Sequence, residues 1–112
     1  FRSSSPKETS ESMADAVSAA LDYKKGRWVF INIINALKPV DGCSGTADRP
    51  DLGIVASTDP IAADRAALDI VYGLISDPEL RKEWEREHSV DVLDYAERKG
   101  LGSKAYRLQR ID

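Results

Sequence analysis

One stretch of ten residues decides the fold: Asp51-Leu52-Gly53-Ile54-Val55-Ala56-Ser57-Thr58-Asp59-Pro60. Its first half is typical of a short β-strand. Asp59 fits the N-cap of a following helix, because its carboxylate can accept hydrogen bonds from free backbone N–H groups, and Pro60 fits the first helical position. The helix should be well buried, since its apolar side chains form one wide stripe that includes Ile61, Leu68, Val71 and Ile75.

A second strand and a helix precede this stretch. Residues 27–34 are β-branched or aromatic and apolar on both faces as far as Asn32, a pattern typical of a central strand covered on both sides. A helix is predicted from Pro6 or Ser10 to Lys25, before Gly26, and Ser5-Pro6-Lys7-Glu8 could form a capping box at its start. Residues 1–9 are expected to fray. The buried stripe of this helix should comprise Met13, Ala16, Val17, Ala20 and Leu21.

The chain after residue 76 predicts two more helices and a last strand. One helix starts at Ser76-Asp77-Pro78. The next is capped by Ser89, turns Leu93 and Ala96 inward and ends at Gly100, and Ser103 to Ile111 can form the strand. The order is therefore α-β-β-α-α-α-β. We predict a single α/β domain over residues 1–112, with a small mixed sheet of about three strands and helices packed against it. Whether the first two strands are parallel or antiparallel stays open.

Composition excludes several functional classes. The chain has 112 residues, one Cys, one His and a formal net charge of −3. One Cys excludes an intramolecular disulfide and a four-thiolate iron–sulfur site, and with one His it excludes a Cys/His zinc site. No apolar run is long enough to span a membrane. We expect a cytoplasmic protein without a nucleic-acid or membrane partner.

Two groups of residues are candidates for chemistry. The loop over residues 38–50 contains Asp41 and Cys43, which could ligate a metal, and Cys43 could also serve as a redox thiol. The turn and helix from Ser57 carry Asp59 and Asp64, candidate catalytic or ligand groups at the mouth of one cleft. Parallel strands would bring Asn35 to the same sheet edge as Asp59, whereas antiparallel strands would place them at opposite ends.

Four stretches together resemble the C-terminal part of the family called domain of unknown function 362. They are residues 30–37, 51–66, 69–72 and 93–106, and the most specific are the block at 51–60 and the Gly-Leu-Gly-Ser ending at 100–103. The resemblance covers roughly residues 13–112. It implies that the chain is the C-terminal part of a longer prokaryotic protein.

The resemblance also implies a redox context. Members of that family often carry a ferredoxin-type [4Fe–4S] segment and an Asp-Cys-Asp-Cys-like element, of which this chain retains Asp41-Gly42-Cys43. The expected function is a domain of an iron–sulfur-associated, ferredoxin-like protein that does not itself hold a complete cluster. Its partner would be the remainder of its own chain or a redox protein. Two alternatives stay open: an enzyme domain that binds a small anionic or metal-bound substrate between Ser57 and Asp64, and a non-catalytic structural or interaction module.

Overall fold

The structure, a computed structural model, describes residues 5–35, 50–87 and 91–111. In that part of the chain the elements follow the order α-β-β-α-α-α, which confirms the α/β class. They are α1 (Pro6–Tyr23), β1 (Phe30–Ile34), β2 (Gly53–Ser57), α2 (Pro60–Tyr72), α3 (Pro78–Glu87) and α4 (Val92–Arg98).

The two strands form an antiparallel sheet, which resolves the alternative that the sequence left open. Phe30 pairs with Ser57 and Ile34 pairs with Gly53. Asn35, which follows β1, therefore lies at the opposite end of the sheet from Asp59, which follows β2. A shared site of these two residues at one sheet edge is excluded.

The predicted last strand is absent from the described residues, so the mixed sheet of about three strands is corrected to a two-stranded antiparallel one. The physical reason is that three consecutive backbone N–H groups donate to side-chain oxygens. Ser103 N donates to Asp59 Oδ2 (2.8 Å), Lys104 N donates to Glu97 Oε1 (2.8 Å), and Ala105 N donates to Ser103 Oγ (3.1 Å). Because side chains accept from these three N–H groups, the N–H groups do not form the backbone hydrogen bonds to a neighbouring strand that a β-strand requires.

Helix α2 forms the centre of the fold, as its wide apolar stripe predicts. It packs against both strands and against α4. One core cluster joins the sheet residues Ile34 and Val55 to Val71 and Ile75. A second cluster joins Ile61 of α2 to α1 and α4, through Ala14, Leu93 and Ala96.

The outer face of the sheet is bare in the described structure, contrary to the prediction of a strand covered on both sides. Ile31, Ile33 and Ile54 are 61%, 64% and 68% exposed. Side chains alternate between the two faces of a strand, and only the other face packs against α2. The apolar pattern of β1 therefore exceeds what the described fold buries.

Helix α1 begins at Pro6, the earlier of the two predicted starts. Ser5 Oγ accepts a hydrogen bond from Glu8 N (3.2 Å), and Glu8 Oε2 accepts one from Ser5 N (3.0 Å), which completes a capping box. The predicted fraying of residues 1–9 stays a prediction.

The predicted buried stripe of α1 is wrong. Met13 is 56% exposed and Val17 is 39% exposed. The helix packs on α4 through Ser10 and Ala14 instead, because small side chains at these positions allow close approach. Met13 and Val17 consequently face a gap between α1 and β1.

Of the last two helices, α4 is the one whose predicted start cannot be compared directly with the structure. α4 begins at Val92, and the predicted cap Ser89 lies outside the described residues, as does His88. Leu93 and Ala96 are buried as predicted. Among the described helices, none combines the length and apolar character needed to cross a lipid bilayer.

Candidate functional site

The carboxylate of Asp59 is the most heavily bonded group of the predicted site. Oδ1 accepts from the backbone nitrogens of Ile61 (2.8 Å) and Ala62 (3.0 Å), and Oδ2 accepts from Ser103 N (2.8 Å). The backbone N–H of Asp59 donates to Ser57 Oγ (3.0 Å). The positive end of α2 is thus neutralised by the chain's own carboxylate, which leaves little attraction for an external anion there.

Gly102 permits the close approach of Asp59 to the segment after α4. A Cβ atom at residue 102 would lie 2.0 Å from Asp59 Oδ1 and 2.7 Å from its Cγ. No L side chain fits in that space without displacing the carboxylate. Asp59 and Gly102 therefore form a clamp that ties the C-terminal segment to the start of α2.

Asp64 is separated from this clamp and pairs with a strand residue. Asn32 Nδ2 donates to Asp64 Oδ1 over 2.8 Å. Asn32 follows Phe30 on the sheet face that packs against α2, and Asp64 is exposed one turn into that helix. The predicted pair Asp59 and Asp64 thus have different partners, and catalytic roles for both stay predictions.

An apolar cavity of about 420 Å³ opens beside Asp64. It lies between α1 and β1 and is closed at its base by α2 and α4. Most of its lining is aliphatic or aromatic, and its principal members are Met13, Val17, Trp28, Phe30, Leu93 and Leu101. Asn32 and Asp64 are the polar side chains among the described lining residues.

Two aromatic rings make up one wall of this cavity. The rings of Trp28 and Phe30 stack with their centroids 6.2 Å apart at an interplanar angle of 20°. The indole Nε1 of Trp28 is buried and has no hydrogen-bond partner among the described residues. The wall is therefore aromatic, with the buried indole N–H of Trp28 as its polar atom.

Asp69 links α2 to the C-terminal segment, a role that sequence reasoning missed. Arg65 Nη2 donates to Asp69 Oδ1 (2.5 Å), and the Tyr106 hydroxyl donates to Asp69 Oδ2 (2.8 Å). The hydrogen bond to Asp69 raises the pKa of both Arg65 and Tyr106. The only local signal was a carboxylate in an otherwise apolar helix, because Tyr106 is distant in sequence.

A second, polar cavity of about 480 Å³ lies next to Tyr72. Burial and a hydrogen bond to Glu85 raise the pKa of Tyr72 to about 12. Arg81 stacks on the Tyr72 ring at 4.0 Å from its centroid. The charged lining residues are balanced in sign, so this cavity does not select an anion or a cation; they are Arg65, Arg86, Lys104, Glu85, Asp91 and Asp94.

The metal-ligand candidates Asp41 and Cys43 lie outside the described residues. Within residues 5–35, 50–87 and 91–111, no group of three or more His, Cys, Asp or Glu side chains could hold a metal ion. A [4Fe–4S] cluster requires four thiolate ligands in its usual form, and the whole chain has one Cys. The residues of this chain therefore do not fit such a cluster.

Comparison with known protein families identifies the chain. The model of the family described as domain of unknown function (DUF362) matches residues 2–69, which is more than half of the 112 residues. The chain belongs to the DUF362 family. Neither a curated protein nor a solved structure gave a significant match.

The DUF362 match ends inside α2. It includes the block at residues 51–60, with the cap Asp59, and the cavity residues Trp28, Asn32 and Asp64. The Gly-Leu-Gly-Ser segment at 100–103 lies beyond it, and its likeness to the family stays a prediction. The structure nevertheless joins this segment to the matched part through the Asp59 clamp.

Proposed function

We propose that this DUF362 chain is a non-catalytic docking module, and that its bare sheet face is covered by further polypeptide of the same protein. The observation that carries the proposal is the exposure of Ile31, Ile33 and Ile54 on one face of a two-stranded sheet. Ile33 and Ile54 are direct cross-strand partners. They place a continuous apolar surface in water, and such surfaces mark interaction sites.

The sequence pattern supports the same occupant. Residues apolar on both faces are typical of a strand inside a larger sheet with layers on both sides. Among the described residues β1 and β2 are the two strands of one sheet, so each has an outer edge whose backbone groups no described strand pairs. A covering layer from the same protein accounts for the apolar face and the open edges together. A second copy of the chain and a separate redox protein are the competing occupants.

The experiment measures protection of the sheet face by cysteine labelling. Ile54→Cys is placed in a Cys43→Ser background and treated with a maleimide, first in the 112-residue chain and then in the protein made from the complete open reading frame. We expect fast labelling in the chain and at least tenfold slower labelling in the complete protein. Leu108→Cys, at another exposed apolar position (59%), is the matched control for general reactivity.

Three results would overturn the proposal. Equal labelling rates in the short and complete proteins would leave the face uncovered. Protection that grows with the concentration of the 112-residue chain would assign the face to a second copy. A complete reading frame that encodes these 112 residues alone would also remove the proposed occupant.

The resemblance to domain of unknown function 362, whose members often carry a ferredoxin-type segment, supports a finer proposal about the context of the module. The covering polypeptide or a redox partner would carry the iron–sulfur cluster, since the residues of this chain cannot. Anaerobic reconstitution of the complete protein, followed by iron analysis and a visible absorption spectrum, tests it. A colourless, iron-free complete protein that still protects Ile54→Cys would retain the docking function and reject the iron–sulfur context.

A further inference from the structure

The apolar cavity between α1 and β1 has the size and lining of a small-molecule site. Its volume of about 420 Å³ falls within the range of roughly 300–1,000 Å³ in which ligand pockets are found. Such pockets combine mostly apolar walls with a few polar groups that fix the ligand's orientation. Met13 and Val17 on one side and the stacked rings of Trp28 and Phe30 on the other supply these walls.

The polar end of the cavity selects the charge of the ligand. Asp64 is the ionisable side chain among the described lining residues, and it is exposed at the mouth. Its Oδ1 is held by Asn32 Nδ2, whereas its Oδ2 accepts no hydrogen bond from the described residues, and none of their cationic side chains forms an ion pair with it. Asn32 therefore orients the carboxylate through Oδ1, and Oδ2 can accept a hydrogen bond from a ligand.

We propose that this cavity binds a small amphiphilic cation, with an apolar or aromatic body and a primary ammonium group. The body packs between Met13 and the ring of Trp28, and the ammonium donates to Asp64 Oδ2 at the mouth. The aromatic wall adds attraction for a cation that lies near a ring face. An anion of the same shape would be repelled by the negative charge of the Asp64 carboxylate. The site adjoins the proposed docking surface at Ile31, which lines the cavity, whereas Ile33 and Ile54 do not. It does not rest on the proposed function, because its test uses the 112-residue chain with the sheet face uncovered.

The test compares three probes of nearly equal shape. The ¹⁵N-labelled 112-residue chain is titrated by NMR with 2-phenylethylamine, which is protonated at pH 7, with neutral 2-phenylethanol and with anionic 3-phenylpropionate. We expect saturable shifts at the backbone amides of Met13, Trp28 and Leu101. The amine should bind about threefold to fivefold more tightly than the alcohol, as is usual for a solvent-exposed ion pair, and the carboxylate most weakly.

Three variants make the result specific. Asp64→Asn keeps an acceptor for Asn32 but removes the charge, and should abolish the preference for the amine while leaving binding of the alcohol. Glu83→Gln removes an exposed carboxylate on α3, away from the cavity, and should change nothing. Val17→Phe fills the cavity and should abolish binding of the amine and the alcohol.

Several outcomes would overturn the proposal. They are the absence of saturable shifts with the amine, equal affinity for all three probes in the unmodified chain, and unchanged binding of the amine in Val17→Phe. Loss of the preference for the amine in Glu83→Gln would show that net charge, not Asp64, selects the ligand. Circular dichroism of each variant verifies its fold, so that a lost signal is assigned to the site.

Discussion

Asp59 Oδ2 accepts a hydrogen bond from the backbone nitrogen of Ser103 over 2.8 Å, although the two residues are 44 positions apart. The same carboxylate caps α2 through its other oxygen. One side chain therefore starts the central helix and holds the segment that follows the last helix. The N-cap role of Asp59 alone would not require a glycine at residue 102. The contact with Ser103 does require it, because a Cβ at residue 102 would lie 2.0 Å from Asp59 Oδ1.

Gly102→Ala should break this clamp. The new methyl group displaces the Asp59 carboxylate, so that hydrogen bonds to Ile61, Ala62 and Ser103 are weakened together. We expect the free energy of unfolding to fall by about 2–3 kcal/mol, as for other overpacked sites that also lose hydrogen bonds. Urea unfolding of the variant and of the unmodified chain measures the difference.

The mechanism behind this loss is tested by a double-mutant cycle. In an Asp59→Ala background the clamp is already absent, and Gly102→Ala should cost less than about 0.5 kcal/mol, so the two losses should not add. Ser103→Ala is the control: it keeps the backbone N–H that binds Asp59 and loses only the hydrogen bonds of its own hydroxyl, so its cost should be the same with and without Asp59→Ala. Additive losses from the two clamp positions would contradict the prediction.

Asp59→Asn should separate the two roles of this side chain. Asparagine keeps one acceptor oxygen for the first turn of α2 but presents an amide NH₂ in place of the second. If that NH₂ replaces Oδ2, it faces the N–H of Ser103, donor against donor. We expect a loss of about 1–3 kcal/mol in the free energy of unfolding. Amide hydrogen exchange should become faster at Ser103 and stay nearly unchanged at Ala62.

Retained protection at Ser103 in Asp59→Asn would contradict this prediction. Asp77→Asn is the matched control, because Asp77 caps α3 through Glu79 N (2.9 Å), and within the described part of the chain its side-chain hydrogen bond stays in the first turn of α3. Its effect should stay within the first turn of α3.

Local signals predicted most of the elements. The cap at Asp59, the capping box at Ser5 and the apolar stripe of α2 each act over a few residues, so the sequence is enough to locate them. Gly100, with a φ angle of 80°, directly follows the cap of α4 as predicted. α1 instead ends at Tyr23, two residues before the predicted Lys25, and Gly26 (φ 71°) lies in the turn beyond its cap.

Long-range partners explain what the sequence could not predict. The segment after Gly100 has residues suited to a strand, yet Asp59 and Glu97 take its amides, and nothing near Ser103 in sequence indicates this. The contact of Asn32 with Asp64 depends on antiparallel pairing, which the loop between the strands left open. The predicted burial of the α1 stripe and of the outer face of β1 is wrong for another reason. The apolar patterns of these two elements predict burial, but the described residues do not cover them.

Tyr106→Phe should loosen the C-terminal segment at a second point. The variant loses the 2.8 Å hydrogen bond from the Tyr106 hydroxyl to Asp69 Oδ2 but keeps the ring. The expected loss in the free energy of unfolding is about 0.5–1.5 kcal/mol. Tyr95→Phe is the control, because the Tyr95 hydroxyl reaches Asp15 only at 3.5 Å and should contribute less. Equal losses in the two variants, measured by urea unfolding, would assign no special role to Asp69.

The raised pKa of Tyr72 predicts that the protein loses stability at alkaline pH. Burial first, and then the hydrogen bond to Glu85, raise its pKa from about 10 in the unfolded chain to about 12 in the folded one. The folded state therefore holds a proton that the unfolded state releases above pH 10. The stabilisation is complete below pH 10 and is lost as the pH rises toward 12.

The measurement is urea unfolding of the unmodified chain and of Tyr72→Phe between pH 9 and 11. The stability of the unmodified chain should fall more steeply, by at most about 1.4 kcal/mol per pH unit, because one proton is linked to unfolding at this site. Lysines also titrate in this range, but they contribute equally to both proteins. Tyr23→Phe is the matched control for the loss of a tyrosine hydroxyl, because the Tyr23 ring is 82% exposed. Parallel curves for Tyr72→Phe and the unmodified chain would mean that Tyr72 ionises without a preference for the folded state.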